Sequence, residues 1–85
     1  MNKITTIDQI DTSLYDKYQM EQIRWGLKHN LNVSIFADPK YNYNQMRAIR
    51  WGLEHNLNVS LYADPKYNEN QMNLIRCVIY YIKER

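Results

Sequence analysis

The feature that most constrains this chain is a tandem repeat, which occupies most of its 85 residues. Residues 15–40 and residues 41–66 align without a gap and agree at 18 of 26 positions. A third copy begins at Tyr67 and diverges after Arg76. A repeat of this length indicates that one supersecondary unit recurs and buries its apolar face against its neighbours.

The repeat also divides the chain. Residues 6–10 fall in register with residues 32–36, so the first unit has a degenerate start. The last unit ends in a modified terminal helix. We predict one domain over residues 1–85, because a chain of this length supports one modest core. Its three units are residues 1–29, 30–55 and 56–85.

Each unit carries the start signal of an α-helix. Asn42 precedes Gln45 by three residues, which is the spacing of a capping box, and Asp16 and Asn68 occupy the same position in the other units. Apolar residues then recur at helical spacing and form one stripe, which in the second unit comprises Met46, Ile49 and Leu53. The pattern predicts three helices of roughly 13 to 16 residues.

Glycine and asparagine residues recur towards the C-terminal ends of the first two predicted helices. Asn30 and Asn56 are suited to a left-handed C-terminal cap. Gly26 and Gly52 lie inside helices, where each costs about 1 kcal/mol relative to alanine. Close approach of a neighbouring element would explain these glycines. Val78 takes the same position in the third unit, which fits a last helix with nothing packed over it.

Two interpretations are open for the intervening segments, residues 33–37 and 59–63. Asn32 or Asn58 can cap a helix of one to two turns that ends at the Asp-Pro pair, since a residue before proline avoids α geometry. The residues of 33–36 also alternate as in a short strand. The short helix is favoured, because one repeat unit leaves little room for a strand and two connections. We therefore expect an all-α fold, a short α-solenoid-like repeat of alternating short and long helices, with short strands as the alternative.

Residues with catalytic potential occur in pairs one repeat apart. His29 and His55 lie in the last turns of their helices, where positive charge suits the helix dipole, and no carboxylate or cysteine stands at ligand spacing. Ser34 and Ser60 follow asparagine caps and are expected to form local hydrogen bonds. The one cysteine, Cys77, has no partner for an intramolecular disulfide. We expect no enzymatic activity, no metal site and no cofactor.

An arginine recurs in all three units, and a tryptophan follows it in the first two. The tryptophans point away from the apolar stripe, so they either pack against the adjacent unit or form a binding surface. In the first case the arginines are expected to pair with Asp38 and Asp64. In the second, they supply residue types enriched at binding hot spots. The predicted partner-binding residues are Arg24, Trp25, Tyr43, Arg47, Arg50 and Trp51.

Charge is distributed unevenly along the chain. Residues 1–21 carry −2, residues 22–53 carry +4, and residues 54–85 are neutral, which gives the overall +2. The basic middle, with aromatic residues between its cations, is compatible with tracking a nucleic-acid backbone. A solvent-exposed face of the protein without any nucleic-acid partner explains the same charge distribution equally well.

The last predicted helix is apolar on more than one side, although terminal repeats usually have a polar outer face. This predicts that the N-terminal segment or a second copy of the chain covers it. The residues expected at a homodimer interface are Val78, Ile79, Tyr81 and Ile82. No run of about 18 apolar residues occurs, and residues 1–14 do not resemble a signal peptide, so we expect a cytoplasmic protein without membrane partners.

The repeat unit resembles a tandem repeat found in many Firmicutes proteins, often on phages and integrative elements. The matching residues are Gln45-Met46, Ile49-Arg50, Gly52-Leu53, Asn58-Val59-Ser60 and Tyr62-Ala63-Asp64-Pro65, with their counterparts one period earlier. The resemblance covers about 70 of the 85 residues and implies a small accessory protein of a mobile element. It implies no particular activity.

The expected function is a non-catalytic protein–protein interaction module of a mobile element, acting as a small inhibitor of a host defence protein in the manner of anti-CRISPR proteins. The alternative is a nucleic-acid-binding accessory protein that uses the basic, aromatic-rich middle of the chain.

Overall fold

The three long helices are α1 (Lys17–Lys28), α2 (Tyr43–Glu54) and α3 (Glu69–Glu84) in the computed structural model, which describes residues 4–84. The first two have 12 residues and the third has 16, so α1 and α2 are slightly shorter than predicted. All three predicted capping boxes are present. In α2, the Asn42 side chain accepts a hydrogen bond from the Gln45 amide at 2.8 Å, and Gln45 Oε1 accepts one from the Asn42 amide at 2.9 Å.

The predicted left-handed caps are also confirmed. Asn30 and Asn56 have φ angles of 59° and 58°. At the end of α1, the Leu31 amide donates to the carbonyl of Gly26 at 2.9 Å, and the Asn30 amide donates to that of Leu27 at 3.2 Å. These two bonds define a Schellman motif, which satisfies carbonyls that the helix end leaves without partners.

The segments between the long helices are short 3-10 helices, Val33–Ile35 and Val59–Leu61. The short-helix interpretation is therefore confirmed, and residues 4–84 contain no strand. Another 3-10 helix, Ile7–Gln9, lies one repeat period before Val33–Ile35, as the predicted register of the degenerate first unit requires. A fourth, Thr12–Leu14, precedes α1. The fold is all-α.

Helix α2 packs against both α1 and α3, and the described residues extend over 39 × 23 × 21 Å. The core lies between the long helices and the 3-10 segments. The largest fully buried side chains are those of Tyr62, Phe36, Ile23, Met46, Ile49, Met72 and Val33.

The two helical glycines lie where a 3-10 helix crosses the long helix, which confirms the predicted close approach. A Cβ atom at Gly26 would lie 2.5 Å from Cγ1 of Val33. At Gly52 it would lie 2.6 Å from Cγ1 of Val59, and closer still to the hydroxyl of Tyr62. Real Cβ atoms essentially never come so close, so only glycine fits between these elements.

Buried glutamine side chains connect consecutive units. Nε2 of Gln19 donates to the carbonyl of Tyr41 at 2.7 Å, and Nε2 of Gln45 donates to that of Tyr67 at 2.6 Å. The same side chains accept the capping-box bonds through Oε1. Each therefore starts one helix and holds the backbone that precedes the next. Sequence reasoning identified only the capping role.

The buried hydroxyl of Tyr62 makes the stability of the protein depend on pH in the alkaline range. Its hydroxyl donates to the carbonyl of Ala48 at 2.8 Å, and burial raises its pKa to about 12, although Arg76 acts in the opposite direction. In the unfolded chain a tyrosine pKa is about 10, so folding favours the protonated form. The resulting stabilisation is complete below pH 10 and is lost as the pH rises towards 12. Over that interval the free energy of unfolding should fall by about 2–3 kcal/mol from this residue.

Chemical unfolding of the wild type and of Tyr62→Phe between pH 8 and pH 12 measures this effect. Phe36 stands at the equivalent position of the preceding unit, so phenylalanine should be accommodated, at a cost of about 1 kcal/mol for the lost hydrogen bond at pH 8. The variant should then lose less stability above pH 10 than the wild type. Burial also raises the pKa of Tyr41 and of Tyr15, so a residual slope is expected. An identical pH dependence in both proteins would contradict the assignment to Tyr62.

Candidate interaction surface

The arginine of each later unit lies over the tryptophan of the unit before it. The guanidinium carbon of Arg50 is 5.1 Å from the centre of the Trp25 ring, and that of Arg76 is 4.1 Å from the centre of the Trp51 ring. We call these four residues the arginine–tryptophan ladder. Cation–π contacts of this kind hold the planar side chains in defined orientations.

Glu54 connects the ladder to its surroundings. Its Oε1 atom forms an ion pair with Arg50 at 2.8 Å, and its Oε2 atom accepts a hydrogen bond from Nε1 of Trp25 at 3.0 Å. Nε of Arg50 also donates to Oε1 of Gln22 at 2.7 Å. Arg50 is therefore both neutralised and fixed between α1 and α2.

The predicted pairing of arginines with Asp38 and Asp64 is wrong. These carboxylates accept hydrogen bonds from the backbone amides of Lys40 and Lys66, both at 2.9 Å. The reason is local: an aspartate before proline reaches the amide two residues later within the same turn. Of the three repeated arginines, Arg50 instead pairs with Glu54, one helical turn away on its own helix.

The two tryptophans differ in their surroundings. Trp51 is half-buried, with His55 stacked at 3.7 Å between ring centres and Tyr80 in edge contact at 5.3 Å. Its packing against α3 agrees with the first interpretation of the repeated tryptophans. Trp25 also contacts the adjacent helix, yet 45% of its surface remains exposed. Arg24, beside it, is exposed and forms no hydrogen bond or ion pair with any described residue.

A second group lies nearer the start of the helices. The rings of Tyr18 and Tyr43 are in edge contact at 5.8 Å, and the guanidinium of Arg47 lies 5.4 Å from the Tyr43 ring. Arg47 also forms an ion pair with Glu69 of α3 at 3.0 Å. Sequence reasoning missed Tyr18. Its position seven residues before Trp25 places both on one side of α1, and that spacing was a signal that could have identified it.

The structure places five of the six predicted partner-binding residues in contact pairs and leaves one outside them. Trp25 contacts Arg50, and Tyr43 contacts Arg47. Trp51 contacts Arg76, which was not among the six predicted residues. Arg24 forms no hydrogen bond or ion pair with a described residue. A groove of about 210 Å³ lies between α2 and α3. It is lined by Arg47, Ala48, Arg50, Trp51, Asn73 and Arg76.

The repeated histidines and serines form local contacts. His55 Nδ1 lies 2.9 Å from the carbonyl of Trp51, and the His29 ring lies 4.6 Å from that of Trp25. The hydroxyls of Ser34 and Ser60 donate to the asparagine two residues earlier, which confirms the predicted local hydrogen bonds. Within the part of the chain that the structure describes, no group of three or more His, Cys, Asp or Glu residues is arranged to hold a metal ion.

The predicted dimerisation residues lie on two sides of α3. Val78, Tyr81 and Ile82 are exposed, whereas Ile79 packs against the core. Ile79 continues the core-facing stripe four residues after Ile75, so it lies on a different side of α3 from the other three. The exposed side instead includes Leu74, which sequence reasoning did not name.

None of the helices in residues 4–84 combines the length and apolar character needed to cross a membrane. No protein-family model matches the chain, and neither a curated protein sequence nor a solved structure shows significant similarity to it.

Proposed function

We propose that this chain is a non-catalytic protein-binding module whose contact surface is centred on Trp25 and Arg24 of α1. The observation that carries the proposal is that Trp25 is both exposed and fixed in position by its neighbours. This large aromatic side chain is 45% exposed, yet it is held by the Glu54 carboxylate and the Arg50 guanidinium. Tryptophan and arginine are among the residue types that dominate the energetics of protein interfaces.

Preorganisation supports this proposal. A side chain that is already held by neighbouring groups loses less conformational freedom when a partner binds. The ladder residues on α2 thus act as supports for Trp25. Arg24, which has no partner among the described residues, is available for a carboxylate or carbonyl of the bound protein.

The contacts favour a protein partner over a nucleic acid. Arg47 and Arg50 are each paired with a glutamate, so less positive charge is available for phosphates than the sequence indicated. Trp51 already contacts the His55 ring and the Arg76 guanidinium, which occupy ring surface that a base would need for stacking.

Nucleic-acid binding is the second candidate, and the observation that favours it is the groove between α2 and α3. Three of its lining residues are arginines: Arg47, Arg50 and Arg76. A single strand entering the groove would have to displace Glu69 or Glu54 from its arginine. Such binding should weaken steeply with salt, because phosphate contacts release counterions.

Within the leading proposal, the resemblance of the repeat to mobile-element proteins suggests a cytoplasmic partner in the host cell. We include in the proposal that the module inhibits a host defence protein, in the manner of anti-CRISPR proteins. A binding surface without catalytic residues is sufficient for such a role, since occlusion of a partner's working surface requires affinity alone.

Substitution of Trp25 and Arg24 by alanine tests the surface. Arg24 is exposed, so Arg24→Ala should change stability by less than about 0.5 kcal/mol. Trp25→Ala also removes the contacts with Glu54 and Arg50, so we expect a cost of about 1–2 kcal/mol with helicity retained. Loss of a central tryptophan should weaken partner binding by at least about 30-fold, which corresponds to roughly 2 kcal/mol. The measurement is recovery of a stoichiometric protein from a Firmicutes lysate, with and without nuclease, followed by titration of the recovered protein.

Leu61→Ala serves as the matched control, because Leu61 is an exposed apolar residue outside the surface formed by the long helices. It should bind like the wild type. Recovery that disappears with nuclease would favour the nucleic-acid alternative. Equal affinity of the Trp25→Ala variant and the control would show that the partner uses another surface.

A further inference from the structure

Helix α3 carries a second apolar stripe on the side away from the core. Its members recur at positions i, i+3, i+4, i+7 and i+8, and they are Leu74, Cys77, Val78, Tyr81 and Ile82. All five are exposed, with Leu74 at 68% and Val78 at 52%. This is the spacing of a helix face that packs against another helix.

The repeat shows what covers the same positions in the preceding unit. The counterparts of Leu74 and Val78 in α2 are Ala48 and Gly52, and both are buried. The following 3-10 segment covers them: Val59 and Tyr62 approach Gly52, and the Tyr62 hydroxyl bonds the carbonyl of Ala48. Small residues in α2 thus allow a short segment to lie directly on the helix.

A further repeat unit cannot lie on α3 in that way. A single Cβ at Gly52 would already lie 2.6 Å from Cγ1 of Val59, and Val78 adds two more carbons at the equivalent position. Leu74 likewise has an isobutyl side chain where its counterpart Ala48 has a single methyl group. The side of α3 has therefore changed from small residues that admit a short segment to large residues that keep a neighbour farther away. Large apolar side chains are suited to the separation of packed helices, which is about 8–10 Å.

The N-terminal segment does not occupy this position. Ile4, Ile7 and Ile10 pack against the core, and Ile4 lies with Leu27 and Leu31 at the end of α1. The sequence predicted that either the N-terminal segment or a second copy of the chain covers the apolar side of α3. The N-terminal segment packs elsewhere, which leaves the second copy.

We infer that the exposed stripe of α3 is a homodimer interface, in which α3 of one copy packs antiparallel against α3 of a second copy across a two-fold axis. Among the described residues, the other exposed large apolar side chains do not form such a stripe: Leu14, Tyr18, Trp25 and Leu61 lie outside α3, and Tyr80 of α3 contacts Trp51 on another side of the helix. The surface that best matches the stripe is therefore the stripe itself. An interface of a two-fold dimer is self-complementary in this sense.

Charge supports this choice of partner. Between Glu69 and Lys83 the only charged residue is Arg76, and its guanidinium lies over Trp51. A neutral stripe offers nothing to an acidic or basic macromolecule, whereas it suits an identical neutral stripe. The antiparallel arrangement also places the positive end of each helix dipole beside the negative end of the other.

The area sets the expected strength of the dimer. The stripe offers five exposed side chains per copy, so pairing would bury an area near the lower limit of about 1,000 Å² for a specific interface. We therefore expect a dissociation constant in the micromolar range and a dimer that predominates at about 100 μM. This interface lies on α3 and is independent of the proposed Trp25 surface on α1.

Light scattering and sedimentation of the full chain, from about 1 to 200 μM, test the inference. The wild type should change from monomer to dimer, with little effect of salt because the interface is uncharged. Leu74→Lys should raise the dissociation constant at least tenfold, and Leu61→Lys should leave it unchanged. The control is matched because Leu61 is also an exposed leucine, at 57%, but lies outside α3.

Cys77 provides a second test of whether the two stripes face each other across the two-fold axis. It lies next to the middle of the stripe, so a short bismaleimide should join two copies through Cys77 at concentrations where the dimer forms, and Leu74→Lys should prevent this. A monomer at the highest concentration would overturn the inference, as would a dimer that Leu74→Lys does not weaken. Open-ended association into larger species would also overturn it, because a two-fold interface closes at two copies.

Discussion

Gly52→Val is expected to destabilise the protein by about 3 kcal/mol, because the new side chain would occupy space already filled by two buried residues. The Cβ alone would lie within 2.6 Å of Val59, and it would also meet the hydroxyl of Tyr62. Both neighbours are buried, and Tyr62 is held by its bond to Ala48. The better helix propensity of valine offsets only a few tenths of a kcal/mol. The measurement is urea unfolding followed by circular dichroism.

The third unit supplies the matched control for this experiment. Val78 occupies the position equivalent to Gly52 and is exposed in the single chain, so Val78→Gly should cost no more than about 1 kcal/mol, mainly through lower helix propensity. It should be measured at low concentration, where the proposed dimer is dissociated. Comparable losses in the two variants would show that the helical glycine is not required by the crossing 3-10 segment.

Gln45→Ala should destabilise the protein by about 2–3 kcal/mol, because one buried side chain forms bonds to two units. Its Oε1 atom completes the capping box with Asn42, and its Nε2 atom donates to the carbonyls of Tyr67 and Pro65 at 2.6 and 3.3 Å. Alanine removes all of these bonds and leaves part-buried backbone groups without a partner. In a domain of this size, each kcal/mol shifts the melting temperature by roughly 4–8 °C, so a thermal melt detects the loss.

Gln71→Ala is the control, because Gln71 has the capping bond without the inter-unit bonds. Its Oε1 atom accepts from the Asn68 amide at 2.9 Å, and the side chain is exposed. We expect a cost of about 0.5–1 kcal/mol there. The difference between the two variants then measures what the connection to the next unit contributes. If both lose the same stability, the bonds of Gln45 to Tyr67 and Pro65 contribute nothing measurable.

Local structure was largely predictable from the chain. The capping boxes, the left-handed asparagines and the 3-10 register of residues 7–9 depend on residues a few positions apart, and the repeat displayed each signal more than once. The helical glycines could be linked to a close approach for a similar reason, since glycine inside a helix is unfavourable without one. The identity of the approaching atoms could not be predicted, because it depends on how each 3-10 segment folds back on its helix.

The residue types of the candidate surface could be predicted from the sequence, but the contacts between them could not. The recurring arginine and tryptophan were visible as residue types, but each arginine contacts the tryptophan of the preceding unit and not the one beside it in the chain. Exposure also differs between equivalent positions, since Trp51 is covered by Tyr80 whereas Trp25 stays open. A periodic sequence assigns the same role to both residues, and only their different neighbours distinguish them.

By itself, the sequence determined the all-α class, the period of the repeat and the beginnings and ends of the helices, because these depend on hydrogen bonds and side-chain contacts within a few turns. The tertiary structure decided which side chains connect the units, which arginines are neutralised, and which side of α3 remains apolar and exposed. Those outcomes depend on distances between helices that are far apart in the chain. Two residues of the same type therefore acquire different roles according to whether the next unit covers them.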